Sequence, residues 1–241
     1  MGNVICKMNI TERYQEIPKE AWANESQKME LKLWEANNID DDWNMWWKMK
    51  FDHFSAIANE KIDSIAEVGC GPIAKNIQYV IQALQTKPTK YFLSDPLLKE
   101  YVNMGRPVSN FAMEVQAKLS SKPLEEWILK EPVDMIVCIN VLDHVYSMPK
   151  CMESIYNNLK KGGVLILGND LTNQEDFEGT PKDDPNGMMH PIRFDYNDIK
   201  PFLSKYEIIS EKVLSRQEGR IRYAGEEKAH YATLIYIGKK K

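Results

Sequence analysis

Ile65-Ala66-Glu67-Val68-Gly69-Cys70-Gly71-Pro72 carries the change from strand to helix from which the rest of the chain can be ordered. The run that leads into it, Ile62–Val68, is short and mostly apolar, as a strand buried on both faces is. After it, Ile73, Ile77, Ile81 and Leu84 recur at helical spacing and predict a helix over Ile73–Leu84. Gly69 and Gly71 let the backbone turn sharply and let a ligand come close, while the first turn of the next helix offers N–H groups without partners. Glu67 stands two residues before the first glycine, at the carboxyl end of the strand. An ionised carboxylate is rarely buried alone, so Glu67 in a structural role would require a buried cation or donor beside it. Gly69-x-Gly71-x-x-Ala74 also satisfies the loose dinucleotide fingerprint, which keeps a nicotinamide cofactor open at this point.

Working outward, Tyr91–Ser94, Ala112–Leu119, Val133–Ile139 and Val164–Gly168 read as further strands, and Leu124–Leu129 and Pro149–Leu159 as helices. Strands that alternate with helices predict an α/β domain, a mostly parallel sheet covered on both faces. The rhythm breaks in the polar stretch Asn169–Asp195, of a length that inside a compact domain usually serves function. A helix near Asp198–Ser204 and strands Tyr206–Val213 and His230–Ile237 close the chain. The first sixty residues differ. Trp22, Met29 and Leu33 share one helical face, and Trp43, Trp47, Phe51, Phe54 and Ala58 another, with Asp40–Asp42 as cap of the second helix. Five of the six tryptophans, Trp22, Trp34, Trp43, Trp46 and Trp47, fall here. The chain therefore divides into a helical N-terminal cap, residues 1–60, and an α/β domain, residues 61–241. The cap's tryptophans either pack as ordinary core or also wall an acceptor pocket as a lid.

The 241 residues carry 31 basic and 35 acidic side chains, a formal charge of −4. That balance gives no basic footprint for nucleic acid, which is expected not to be a partner. No apolar run approaches the ~20 residues of a membrane span, and the N-terminus lacks a secretory h-region, so the expected location is cytoplasmic, with no membrane contact. Four cysteines and four histidines stand at no metal-ligand spacing, and no metal is expected. Oligomeric state is left open.

Glu67-Val68-Gly69-Cys70-Gly71 resembles the acidic-x-Gly-x-Gly motif of the class I S-adenosylmethionine-dependent methyltransferases. Further segments keep that family's order. Asp95 ends the second strand, 24 residues after Gly71; Asn140-Val141-Leu142-Asp143-His144-Val145 is similar to the family's N-V-L-E-H-V; and Leu159-Lys160-Lys161-Gly162-Gly163 is similar to its turn into strand five. The resemblance covers roughly residues 62–241. It implies a Rossmann-like three-layer sandwich with strand order 3-2-1-4-5-7-6, a seven-stranded sheet closed by an antiparallel strand. It also implies S-adenosyl-L-methionine as cofactor. Glu67 would face its ammonium group, directly or through water; Gly69 and Gly71 would line its methionine moiety; and Asp95 would accept from both ribose hydroxyls. Taken alone, Asp95 also reads as a helix cap ahead of Pro96. Asn140 joins these as a cofactor-binding residue. Many relatives hold adenine with an acidic residue after strand three; here the stretch reads Lys118-Leu119-Ser120-Ser121-Lys122-Pro123, and Ser121 or a backbone carbonyl takes that place. The Asn/Asp-Pro-Pro-Tyr/Phe motif that amino-methyltransferases of nucleic acids often carry is absent.

The resemblance predicts a methyltransferase acting on a small molecule, such as a hydroxyl of a sugar, polysaccharide precursor or natural product. An NAD-dependent oxidoreductase and a non-catalytic cofactor-binding regulatory protein are the alternatives. A hydroxyl acceptor gains from a general base. His190, in Met188-Met189-His190-Pro191, is the first candidate because the family forms its acceptor pocket after strand five; His144, just past strand four, is the second. Arg193 is a candidate anchor for an anionic acceptor group.

Overall fold

The apolar runs become the centre of one seven-stranded sheet. A computed structural model describes residues 16–36, 43–172, 188–215, 218 and 232–241. In it, β1 (Ser64–Val68), β2 (Lys90–Ser94), β3 (Lys118–Ser120), β4 (Val133–Ile139), β5 (Leu159–Leu171), β6 (Tyr206–Leu214) and β7 (Ala232–Lys240) take the order β3-β2-β1-β4-β5-β7-β6. Strands β1 to β5 pair in parallel, and β7 runs antiparallel between β5 and β6. This is the expected fold. Side chains alternate across the central strands. Ala66, Val68, Ile136, Cys138, Leu165 and Leu167 enter one apolar layer, and Ile65, Met135, Val137, Val164 and Ile166 the other.

Helices follow the strands: α3 (Lys75–Ala83), α4 (Leu98–Asn103), α5 (Pro107–Glu114), α6 (Met148–Asn158) and α7 (Tyr196–Leu203). The Ser147 hydroxyl accepts from the Lys150 N–H to cap α6, and Asp195 with Asp198 forms a reciprocal capping box on α7. Two expectations need correction here. Ala112–Leu119 is not a strand: Pro107 starts helix α5, Val108 and Ala112 bury one of its faces, and Gln116 ends the turn at a φ of 52°. Only Lys118–Ser120 joins the sheet. The predicted helix Leu124–Leu129 is a single 3-10 turn, Leu124–Glu126.

Ahead of β1 lie α1, residues 19–36, and α2 (Trp43–Lys50). Helix α1 widens into a π turn over Trp22–Ser26, which turns Trp22 and Ser26 into the protein. The cap predicted at Asp40–Asp42 and the Trp43 side chain lie outside the described residues. The second helix is shorter than its periodicity predicts. It gives way to a 3-10 stretch, Asp52–Ile57, where Asp52, His53 and Phe54 all take positive φ. Phe51 and Phe54 thereby stack at 5.0 Å and both bury. Trp47, Phe51, Phe54 and Ile57 share the apolar layer of Ile65 and Ile166, and the Trp47 ring lies against Gly168 of β5.

Candidate functional site

The carboxyl ends of β1, β2, β4 and β5 gather nearly all the sequence-predicted residues. At the end of β1, Glu67 is buried and accepts a 3.3 Å hydrogen bond from the Ile77 N–H on α3. Burial pushes its pKa up from 4.5 to about 8, against the opposing pull of the Ile77 and Asn76 donors. No salt bridge reaches it among the described residues. Beside it Asn76 is buried with its Oδ1 lacking a hydrogen-bond partner. A buried carboxylate without a cation next to an unsatisfied acceptor fits an amino acid's ammonium group, as the cofactor's methionine moiety would supply.

Gly69 and Gly71 take φ of +62° and +58°. The Gly71 N–H donates to Asp95 Oδ2 at 2.9 Å, and the Leu97 N–H donates to Asp95 Oδ1 at 2.9 Å. Asp95 is not the helix cap that its place before Pro96 suggested: the cap of α4 is Leu97, whose N–H Asp95 holds in a local turn. A carboxylate has about four acceptor sites, so two backbone donors leave capacity for two ribose hydroxyls. Burial raises its pKa from 3.8 to about 6, and the two backbone donors oppose the rise. The Ser120 carbonyl accepts from the Asp95 N–H, and Ser121 is exposed just beyond β3.

Asn140 follows β4 at a φ of 58°, exposed, with its N–H donating to the Gly168 carbonyl at 2.7 Å. The loop after it is pinned by a residue that the sequence did not single out. Asn169, fully buried on β5, accepts from the Val141 and Leu142 N–H groups at 3.1 and 2.9 Å and donates to Asp143 Oδ1 at 3.1 Å. An asparagine directly after the apolar run of β5 was the available signal. Asn169→Ala would strand two N–H donors and a carboxylate oxygen; at about 1–3 kcal/mol per unsatisfied buried group, it should lower stability by at least roughly 3 kcal/mol. Urea unfolding measures this, and a loss under about 0.5 kcal/mol would show that the loop holds itself.

The fold brings His144 and His190 together, with ring centroids 4.3 Å apart. His190 Nε2 lies 3.8 Å from Asp143 Oδ2, and His144 Nδ1 lies 3.5 Å from Glu30 Oε2 on α1. Burial disfavours a charged His144, but the carboxylates of Asp143, Glu30 and Asp95 outweigh it, with a hydrogen bond to the Met189 backbone, and raise its pKa above the ordinary histidine value. Helix α1 is fastened over this cluster. Trp22 Nε1 donates to the His144 carbonyl at 2.6 Å, its ring meets Tyr146 edge-on at 5.3 Å, and the Ser147 hydroxyl donates to Glu16. Trp34 Nε1 holds the other oxygen of Glu30 at 2.7 Å. Glu30 was invisible in the sequence, as one acid among many on a polar helix. Arg193 is half-buried, three residues beyond His190.

Residues 47–190, more than half of the chain, match the family model "Methyltransferase domain". Among curated proteins, the chain is 29% identical over 133 residues to the "tRNA U34 carboxymethyltransferase" of Helicobacter pylori (strain J99), covering 54% of this chain and 48% of that protein. It is 26% identical over 152 residues to the protein of that name from Campylobacter fetus, covering 61% and 50%. The chain thus spans about half the length of these relatives. Among solved structures, the N-methyltransferase NodS of Bradyrhizobium japonicum, in complex with S-adenosyl-L-homocysteine, superposes with a TM-score of 0.57 at 14% identity, over 89% of this chain and 97% of that one. TehB from Haemophilus influenzae gives 0.57 at 12%, over 79% and 62%. The curated relatives overturn the expectation of a small-molecule acceptor and no nucleic acid. Net charge averages over a whole surface, whereas a nucleotide is met by a few local groups, so a charge of −4 excludes less than it was taken to. No helix among the described residues is long and apolar enough to cross a membrane. The sheet order, the glycine turn after β1 and the matched residues agree: the chain belongs to the class I S-adenosylmethionine-dependent methyltransferases.

Proposed function

We propose that this methyltransferase modifies RNA, with a nucleotide of a tRNA as acceptor. The observation that carries the proposal is the likeness to two curated proteins named as tRNA U34 carboxymethyltransferases. The cofactor's sulfonium supplies an activated methyl group, so the protein's task is to hold the acceptor in line and take its proton. Glu67 and Asn76 would hold the ammonium end of the cofactor, Gly69 and Gly71 its backbone-lined bed, and Asp95 its ribose. Ser121 or the Ser120 carbonyl would meet the adenine and Asn140 the cofactor's near side. Held there, the cofactor would supply its methyl group to an acceptor oxygen and leave as S-adenosylhomocysteine, and His190 would be placed to take the acceptor's proton. That residue is the outermost of the cluster, its side chain 32% exposed against 11% for Asp143. Helix α1 acts as a cap at this site, with Trp22 and Glu30 fixing His144. A cytoplasmic location belongs to the same proposal and rests on free thiols at Cys70, Cys138 and Cys151.

The test is incubation of the full chain with methyl-labelled S-adenosylmethionine and bulk tRNA, then nuclease digestion and mass spectrometry of the nucleosides. Label should enter one nucleoside, and Asp95→Ala should lower its incorporation at least tenfold. S-adenosylmethionine alone can supply only a methyl, so the labelled nucleoside should gain a methyl and no carboxyl. Cofactor binding without label in any RNA would overturn the proposal.

A further inference from the structure

We propose that Asp143, His144 and His190 form a binding site for a divalent transition-metal ion. One carboxylate oxygen and one ring nitrogen from each histidine lie within 4.8 Å of one another. Small side-chain movements would bring these three atoms to a common ion at roughly the 2.0–2.2 Å of zinc–nitrogen and zinc–oxygen bonds. Two imidazoles and one carboxylate are the donor set of zinc, manganese, iron, cobalt or nickel rather than of calcium or magnesium, which take oxygen ligands. Three protein donors also leave coordination positions open for an outside oxygen.

The surroundings favour a cation over a simple histidine pair. The Glu30 and Asp143 carboxylates stand 3.5 and 3.8 Å from ring nitrogens of His144 and His190, so each ring has an acidic side chain beside it. The ligands are also held from behind, as metal ligands usually are. Asn169 holds Asp143 Oδ1 and leaves Oδ2 towards His190. The Ile192 N–H donates to the Asp143 carbonyl at 3.2 Å and joins the His190 segment to the β4 loop, while Trp22 holds the His144 carbonyl. Glu30, at 3.5 Å from His144 Nδ1, is placed to orient that ring. The sequence could not show this, because its two histidines come from separate loops.

The site itself stands on geometry alone; its role rests on the transferase reading above. There a bound cation would draw charge from an acceptor hydroxyl and ease loss of its proton to solvent water, with His190 serving as ligand rather than as lone base.

The experiment is calorimetric titration of Zn²⁺ and of Mn²⁺ into chelator-stripped full-length protein, without cofactor or RNA. One ion per chain should bind. His190→Ala and His144→Ala should each weaken binding at least tenfold, whereas His53→Ala, an exposed histidine elsewhere, should leave it unchanged. His190→Asn, smaller in its disturbance of the loop, guards against misfolding, and circular dichroism checks every variant. Equal affinity in the wild type and the His144→Ala/His190→Ala double variant, or no binding to either, would overturn the site. The labelling assay with and without chelator keeps the two readings apart. RNA labelling in a protein that binds no ion sinks the metal site alone, and ion binding without RNA labelling sinks the acceptor alone.

Discussion

Glu67→Gln should make the cofactor-free protein more stable at high pH while costing it most of its affinity for S-adenosylmethionine. Burial raises the Glu67 pKa from 4.5 to about 8. Between those values the folded chain keeps a proton that the unfolded chain releases, so stability falls as pH rises through this window. Above pH 8 the full cost is present, and at about 1.4 kcal/mol for each pH unit that the window spans it amounts to several kcal/mol. Glutamine keeps the shape and never ionises. Urea unfolding should therefore find variant and wild type similar near pH 5 and the variant higher by about 2–4 kcal/mol at pH 9. Cofactor binding should move the other way. A buried partner for an ammonium group is commonly worth about 2–5 kcal/mol, so calorimetry should show affinity lowered at least tenfold. The proton released when cofactor binds near neutral pH should also disappear. A variant that is less stable than wild type at both pH values, or one with unchanged affinity, would make Glu67 a structural residue fixed by Ile77 and Asn76.

Such opposite movements are expected where a fold keeps a group for binding at the expense of its own stability. Their legibility in the sequence has a local cause. Glu67, Gly69, Gly71 and Asp95 each lie where a strand ends, and the strands announce themselves as apolar runs. The buried stretch Val133–Ile139 is a strand from end to end as read. What failed was set by competition the local pattern does not contain. Ala112–Leu119 has enough alternation to pass for a strand, but the helix begun at Pro107 keeps Ala112–Glu114 and a turn at Gln116 follows, which leaves only its last two residues to the sheet. The edge strand β3 is mostly exposed and carries almost no apolar signal. The series from Trp47 to Phe54 keeps helical spacing through a break, because burying Phe51 on Phe54 outweighs continuing the helix. The cluster Glu30, Asp143, His144 and His190 was legible only as single residues. Its members come from α1, the β4 loop and the segment before α7, and only the sheet's topology decides that those three places meet.

Gly69→Ala and Gly71→Ala, two residues apart in one turn and alike in φ, should fail for different reasons. At Gly69 an added Cβ would sit 2.4 Å from Val141 Cγ2 and 2.9 Å from Val141 Cγ1. Val141 has little room to retreat, because it is buried, branched at Cβ, and held through its own N–H by Asn169. The left-handed conformation adds roughly 1–2 kcal/mol to an overpacking cost of about 1–3 kcal/mol. Gly69→Ala should then lose about 2–5 kcal/mol in urea unfolding, with or without cofactor. Gly71 has nothing within 4 Å of the same position, and its N–H can keep its bond to Asp95. Only the conformational cost remains, so Gly71→Ala should unfold within about 2 kcal/mol of wild type. Its methyl group would instead stand in the open space above the turn, where the cofactor's methionine moiety is placed by the Glu67 reading. Calorimetry should show affinity for S-adenosylmethionine lowered at least tenfold in a folded protein. Wild-type stability for Gly69→Ala would mean that the Val141 loop moves freely, which the Asn169 bonds argue against. Wild-type affinity for Gly71→Ala would place the cofactor away from this turn and remove Glu67 from its ammonium.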